Sequence, residues 1–337
     1  MATTFETLNW SVQLDPGTPD DITAIVLSVD VSHGTEQQNS SATIVCTEYP
    51  DSFDFRQPIY IYASLSGGTP PIIFNGECIG IKSNHAGQYT ITATDYLARL
   101  KFPWSKDTRT YTSDDASAVK QNLVEASGID VSLTDIQAPA GWTIGVGEDV
   151  LLEPGDTPLE LIQAIDDAMP YWRTWTRPNG AIRSRPIEIG TSVATFTRGV
   201  APVVEMEWED TIEGIVNACK VIGAVYNDVP VEAIYQQTTS YIPDPPKYVT
   251  ETFQSRLIED PTQALVVATA RVGFTNTLQA RGRVLTTLRE DIEPGDTITL
   301  DDPSGYVNVS NTKAWVTSVR HSIPACTTEI STGLIYE

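Results

Sequence analysis

The pattern that most constrains this chain occurs twice, once near each end. In the C-terminal copy, Glu290-Asp-Ile-Glu-Pro-Gly-Asp-Thr-Ile-Thr-Leu leads through a loop of Asp, Pro, Ser, Gly and Asn into Ala314-Trp-Val-Thr-Ser-Val-Arg-His-Ser-Ile. Pro294-Gly295 is a turn dipeptide, because proline presets the first turn residue and glycine accepts the positive φ that a type II turn needs at the next. Beyond the loop, Trp315, Thr317, Val319 and His321 alternate with Val316, Ser318, Arg320 and Ser322, the period of a strand. The N-terminal copy runs Gln57-Pro-Ile-Tyr-Ile-Tyr, a Ser-Gly-Gly-Thr-Pro-Pro loop, Phe74-Asn-Gly-Glu-Cys-Ile-Gly-Ile and Gly87-Gln-Tyr-Thr-Ile-Thr-Ala-Thr. Two barrel-like β units at opposite ends account for both.

A chain of 337 residues exceeds the usual limit of a single core, which predicts several small domains. Before the N-terminal copy the alternation is already present. Leu8, Trp10, Val12 and Leu14 end at an Asp15-Pro-Gly-Thr-Pro-Asp turn, Leu27, Val29 and Val31 give a second strand, and Ser41-Ala-Thr-Ile-Val-Cys-Thr a third. Together these make an antiparallel barrel or sandwich of about six strands.

The period then changes to that of helices. Thr112-Ser-Asp-Asp places acids where the helix dipole favours them, Ala116, Val119, Leu123 and Ala126 share a face, and Gly128 stops the run. Thr157-Pro-Leu-Glu supplies an N-cap, a proline at the first helical position and a glutamate at the third, ahead of Leu161, Ile162, Ile165 and Met169 and a stop at Pro170. A third capped helix opens at Asp260-Pro-Thr-Gln, with Leu265, Ala268 and Val272 inward and Gly273 as its stop. Residues 216–224 begin another β unit with the Pro-rich Ile242-Pro-Asp-Pro-Pro-Lys loop at its surface, and closing strands run from Gly282 to Leu334. The predicted fold class is mainly β with α+β insertions, two antiparallel β-barrel-like domains flanking smaller α/β domains. The expected boundaries are 1–104 for the first barrel, 105–205 for central α+β domains (helices near 113–127 and 158–169, hairpin 171–186), and 206–337 for the second barrel with a helix near 261–272.

The chemistry of the chain is dominated by charge. With 44 acidic and 21 basic residues the net charge is −23, which favours solubility and argues against general attraction to nucleic acid phosphates or anionic lipid. No apolar run approaches the ~18 residues that span a bilayer, so stable membrane insertion is not expected. The N-terminus lacks the basic-then-apolar pattern of a signal peptide, which predicts synthesis in a cytoplasm. Cys46, Cys78, Cys219 and Cys326 are far apart and are expected as buried thiols, and no CxxC pair suggests zinc. HExxH, GxSxG and P-loop signatures are absent, so no enzymatic activity, cofactor or metal is expected. Of the histidines, His33 reads as a loop residue, His85 as a turn and His321 as a half-buried strand residue. The pairs Asp20-Asp21, Asp166-Asp167 and Asp301-Asp302 and the Glu207-Trp-Glu-Asp run read as solvated carboxylates in so acidic a chain.

One segment concentrates the opposite charge. The hairpin predicted around Pro178-Asn-Gly, read as a type I′ turn, carries Trp172, Arg173, Trp175, Arg177, Arg183 and Arg185. Arginine interleaved with tryptophan can stack on bases or grip phosphate, which makes these six residues the candidate partner interface. The acidic surroundings favour a plainer expectation, pairing with Glu188, Glu205, Glu207 and Glu209 within the molecule.

The succession of parts carries more than any motif. It runs from "FNGECIGI…GQYTITATDYLARL" through "TSDDASAVKQNLVEASGI", "TPLELIQAIDDA", "RPNGAIRSRP", "VNACKVIGA" and "DPTQALVVATARV" to "EPGDTITL…KAWVTSVRHSI". This order resembles the tail hub proteins of bacteriophages, a family shared with the hub domain of type VI secretion spikes and with tail-associated proteins of long non-contractile tails. The resemblance implies a homotrimer in which two similar barrels per chain give a pseudo-six-fold ring, seating a six-fold tail tube against three-fold tip components. It further implies contacts with a tail tube or distal tail protein, a tape measure protein, and tip, spike or fibre proteins. DNA would then be only a transiting cargo, and the place of the chain would be the virion tail tip after assembly in the host cytoplasm. The chain differs from many relatives in carrying no β-helical spike or lytic segment. A second reading, an extracellular β-rich carbohydrate-binding or adhesin protein, predicts exposed aromatics such as Trp172 and Trp175 lining a groove. A carboxylate-dependent hydrolase requires two carboxylates converging in one cleft.

Overall fold

The computed structural model of the chain describes residues 8–14, 20–35, 40–65, 68–130, 132, 134–210, 216–226, 228–237, 248–277, 280–306 and 309–334. The turn expected at 15–19, residues 66–67 of the Ser-Gly-Gly loop and the Pro-rich loop at 242–247 lie outside them. The protein is mainly β, with a large curled sheet and smaller helices and sheets.

The large sheet has 13 strands. In hydrogen-bonded order its main path is Val203–Asp210, Ala280–Thr287, Thr327–Leu334, Thr312–Ile323, Val26–Gly34, Ser41–Cys46, Tyr89–Thr94, Ile72–Ser83, Pro58–Ser64, Asn9–Leu14 and Asp20–Asp21, antiparallel throughout. Off this path, Thr297–Asp301 pairs antiparallel with Thr312–Ile323 and parallel with Ser192–Thr197. The two ends of the chain are therefore zipped into one sheet. The seam is the pairing of Val26–Gly34 with Thr312–Ile323, from Val29 opposite Ile323 to Gly34 opposite Ser318.

Each side of the seam has its own core. Val12, Ile44, Ile61, Phe74 and Ile91 fill the N-terminal one, and Phe196, Met206, Val284, Ile298 and Ile330 the C-terminal one. Leu288 and Ile323 cross over, packing in the N-terminal core although they belong to C-terminal segments. Full burial of such side chains contributes about 1.5–3 kcal/mol each, so these two also fasten the halves together. The simple alternation expected along residues 314–323 is interrupted by a bulge between Val316 and Ser318. Before it Ala314 and Val316 enter the C-terminal core. After it Val319, His321 and Ile323 are the buried positions. One extra residue reverses which side chains face inward, as a bulge must in a period-2 structure.

The helices begin where local chemistry dictates. In α1 (Ala116–Ala126) the Asp115 carboxylate accepts the amides of Ser117 and Ala118 at 2.9 and 3.3 Å. In α2 (Pro158–Ala168) the Thr157 hydroxyl accepts the Glu160 amide at 3.3 Å behind Pro158. In α3 (Pro261–Thr277) Asp260 accepts from Thr262 and Gln263. This third helix corrects two expectations. It runs through Gly273 to Thr277, and Leu265 is 45% exposed while Ala264, Val267, Ala268 and Val272 turn inward. A Cβ at Gly273 would stand 2.3 Å from the Tyr171 hydroxyl oxygen, so this glycine admits a neighbour and does not stop the helix.

All three helices share a third core with Trp104, Trp142, Trp172 and Ile182. Cys219, Val221 and Val231 also pack there, from the three-stranded sheet Val229–Gln236, Ala218–Tyr226, Thr250–Gln254. The core of residues 218–277 is thus the central one, apart from the C-terminal β core with which the sequence groups them. Among the described residues no helix is long and apolar enough to cross a membrane.

Candidate functional site

The arginine-rich hairpin consists of Trp172–Thr176 and Ile182–Pro186, with Thr134–Ile136 added in parallel beside the second strand. Its turn is not type I′. The Gly180 amide donates to the Arg177 carbonyl at 2.9 Å and the Arg177 amide to that of Ala181 at 2.8 Å, and only Gly180 has positive φ, at 86°. Pro178 fixes a negative φ at the first loop position, so the left-handed residue falls on the glycine alone, giving a three-residue loop.

The structure brings all six candidate residues together as an internal joint. Trp172 and Trp175 are 6% and 3% exposed. Each arginine has a carboxylate, though none of the four glutamates expected. Arg177 donates two hydrogen bonds to Glu293 at 2.7 and 2.6 Å, and Arg185 two to Asp135 at 3.0 and 2.9 Å. Arg183 Nε lies 3.4 Å from the same Asp135, and Arg173 3.4 Å from Asp167. The register explains this choice: Asp135 stands directly opposite Arg183 on the added strand, whereas Glu205 and Glu207 are held with Glu329 around Arg283 on the large sheet. Arg173 and Arg185 are themselves cross-strand partners, a like-charge pair tolerable because each has its own anion. Burial first, and Arg177 next, pull the Arg183 guanidinium below its ordinary value.

Through these contacts the hairpin braces both β units. On the C-terminal side Arg177 holds Glu293, and the following turn closes as its sequence predicts, the Asp296 amide donating to the Glu293 carbonyl at 3.2 Å with Gly295 at φ 90°. A Cβ on Gly295 would stand 2.7 Å from the Trp175 ring. On the N-terminal side Asn75 Nδ2 donates to the Asn179 carbonyl at 2.8 Å, and the Tyr96 hydroxyl donates to Asn75 Oδ1 at 3.0 Å. Gly295→Ala is therefore expected to lower stability by about 2–3 kcal/mol, from left-handed backbone strain plus overpacking against a buried ring. Chemical denaturation followed by tryptophan fluorescence checks it. An unchanged midpoint would mean the turn and Trp175 are not locked together.

Beneath the hairpin lies a charge pair that sequence reasoning missed. Lys120 of α1 and Asp166 of α2 form an ion pair with both side chains buried. The Lys120 ammonium also donates to Ser184 Oγ at 2.9 Å and stands 5.6 Å from the centre of the Trp172 ring. Burial pulls its pKa down and Asp166 pushes it back. Expected as solvated, Asp166 instead sits in the apolar stripe of α2 beside Ile162 and Ile165, and Lys120 lies beside Val119 and Leu123 in that of α1. An opposite charge in each of two helical stripes was the signal available. Asp302 is likewise buried, with Arg198 3.7 Å away.

His33 corrects its expected position and His321 its expected burial, while His85 lies in a turn as its sequence predicts. His33 is within strand Val26–Gly34, not a loop, and both it and His321 are fully buried at the seam, their rings 6.3 Å apart. The Ile73 carbonyl lies 2.7 Å from His33 Nε2, and Thr328 Oγ1 lies 3.0 Å from His321 Nδ1. Burial lowers their pKa values to about 4 and about 3, opposed at His33 by the Ile73 carbonyl and Glu293 and reinforced at His321 by His33. Among the described residues no group of three His, Cys, Asp or Glu is placed to hold a metal ion.

Two curled β units joined edge to edge, with a helical centre braced between them, form a fold shared by phage tail proteins and type VI secretion spike components. A tail protein from Neisseria meningitidis MC58 superposes with a TM-score of 0.74 at 10% identity over 96% of each chain. The 43 kDa tail protein of prophage MuSo2 from Shewanella oneidensis gives 0.68 at 10% identity, over 96% of this chain and 98% of its own. A type VI secretion component of E. coli, itself described as similar to the phage T4 tail proteins gp27 and gp5, gives 0.59 at 12% identity, over 98% of this chain and 77% of its own. No protein-family model and no curated protein sequence matches the chain.

Proposed function

We propose that this chain is a structural protein of a phage tail that assembles as a trimeric hub ring at the distal end of the tail tube. The observation that carries this reading is the seam: two β units, each with its own core, are hydrogen-bonded into one sheet, so a single chain presents two comparable positions. Three such chains offer six positions to a six-fold tube and keep three-fold symmetry for a spike or fibre below. In this reading the two β units form the ring and the centre, which takes in residues 218–277 as well as the predicted α+β segment, faces the tip components. Tube, tape measure and tip proteins are its neighbours in the virion, and it performs no chemistry. Arg185, whose side chain is 43% exposed, is the member of the hairpin set left open to a partner.

The charge supports a passive channel. At −23 per chain, carboxylates lining a lumen repel DNA phosphates during ejection, and a Debye length of about 8 Å in physiological salt confines the effect to wall charges close to the DNA. Trp172 and Trp175 are buried and line no exposed groove, so they do not support the carbohydrate-binding reading. Mass photometry of the purified chain of 36.8 kDa, alone and with its tail-tube protein, tests the proposal. A trimer, or a ring with a central pore on the tube end in electron micrographs, is expected. A monomer that never joins the tube would overturn it.

A further inference from the structure

The segment between strands Ser41–Cys46 and Pro58–Ser64 is short of apolar cover and rich in aromatics. Tyr89, Tyr49, Phe53 and Phe55 form a chain of edge-to-face contacts, with ring centres 5.6, 6.2 and 5.5 Å apart in turn. Phe55 is 63% exposed and Phe102 54%, with the Arg56 guanidinium 4.7 Å from the centre of the Phe102 ring. Ile79, also exposed, follows the Cys78 carbonyl that accepts the Arg56 amide at 2.7 Å. The segment is held in place: the Cys78 amide donates to the Gln57 carbonyl at 3.0 Å, the Thr47 amide to the Ile25 carbonyl at 2.8 Å, and the Asp54 amide to Gln57 Oε1 at 3.0 Å. Tyr49 and Phe55 are exposed with Phe53 half-buried between them against the N-terminal core, and Arg56 links this group to the exposed Phe102, so a binding partner finds aromatic rings already organised on a fixed backbone.

Its rim decides the partner. Asp20, Glu48, Asp51 and Asp54 are all exposed on this segment or hydrogen-bonded to it, against Arg56 and Lys101 as the adjacent cations. A second copy would bring its own net charge of −23, and an anionic lipid surface the same sign. We propose that the surface formed by Tyr49, Phe53, Phe55 and Phe102 docks a different protein through a face with an apolar centre and a rim of lysine or arginine. That the occupant is a fellow component of the tail rests on the hub reading. The chemistry of the surface does not.

Two short synthetic amphipathic helices serve as probes, with the same leucine and phenylalanine stripe but lysine on the polar face of one and glutamate on that of the other. Fluorescence anisotropy with the full chain at about 0.15 M salt is expected to show binding of the lysine peptide alone. Phe55→Ser with Phe102→Ser should weaken it at least tenfold, and Asp51→Asn with Asp54→Asn should weaken it and flatten its salt dependence. Near-UV circular dichroism confirms that both variants fold. Equal binding of the glutamate peptide, or unchanged affinity in the serine variant, overturns the proposal. So does self-association, or binding to phosphatidylserine vesicles, that disappears in the serine variant, since either assigns the surface to another occupant. The hub reading fails independently, by mass photometry of the unmodified chain.

Discussion

Lys120→Met is expected to destabilise the central core by about 3–5 kcal/mol, because it leaves the Asp166 carboxylate buried and unpaired. Methionine fills most of the volume of lysine, so the loss measures charge and not a cavity. The paired change Lys120→Met with Asp166→Leu removes both ions and is expected to recover most or all of that stability, since a buried ion pair seldom exceeds an apolar pair of similar volume. Ser184 then keeps an unfilled hydroxyl partner, a smaller effect of about 1 kcal/mol. Urea unfolding of the two single variants and the double variant gives the coupling energy directly. Hydrogen exchange locates it, with the amides of α1 and α2 losing protection in the single variants. Equal stability of Lys120→Met and the parent would show that the pair is not buried in solution. A pH series adds an internal check: in Lys120→Met the lone carboxylate favours its protonated form, so the deficit shrinks as the solution is acidified.

What the sequence made legible was local. The starts of α1, α2 and α3 were readable because Asp115, Thr157 and Asp260 act on amides two or three residues away, and the Pro294-Gly295 turn because its chemistry lies within four residues. The readings failed where a distant residue set the outcome. Gly273 looks like a helix stop until Tyr171 arrives from outside the helix, and the Asn179-Gly180 turn looks like type I′ until the proline before it is counted. The seam between Val26–Gly34 and Thr312–Ile323 pairs residues almost a chain length apart, and no periodicity specifies a register across that distance. In the hairpin the kind of interaction was readable and the partners were not, because Asp135 and Glu293 reach the arginines through a parallel strand pairing and an inter-unit contact. The aromatic surface around Phe55 was open to inspection, since Tyr49, Phe53 and Phe55 lie within one loop. Only the exposure of Phe55 and the approach of Phe102 from elsewhere separate it from ordinary core aromatics.

Acidification from pH 7.5 to pH 5 is expected to lower stability by up to about 3 kcal/mol through the seam histidines net of Asp95, less what Asp167 and Asp296, carboxyls also raised by burial, return. The folded pKa values of His33 and His321, about 4 and about 3, lie below the unfolded value of 6.5. Folding therefore favours the neutral rings. Their contribution is fully present above pH 6.5 and is lost as the pH falls below it, with each pH unit costing about 1.4 kcal/mol per histidine until the folded pKa is reached. At pH 5 the two together have lost about 4 kcal/mol. Asp95 works the other way. Burial, outweighing the hydrogen bond its carboxylate accepts from the Ser40 amide, raises it to about 6, so protonation stabilises the fold as the pH drops through that value and returns about 1 kcal/mol by pH 5. The effect is best measured at pH 5 and above, because the chain approaches its isoelectric point near 4.3. His33→Gln retains a side-chain N–H for the Ile73 carbonyl while removing the proton equilibrium, so its stability should fall by about 2 kcal/mol less than the parent's over the same range. Both rings sit on strands that join the two β units, so the amides of Val29–Gly34 and Ser318–Ile323 should be the first to lose exchange protection in acid, ahead of either core. If the parent and His33→Gln show the same pH slope, the seam does not carry the acid sensitivity. If the two cores open before the seam, the sheet is not held as one unit by this pairing.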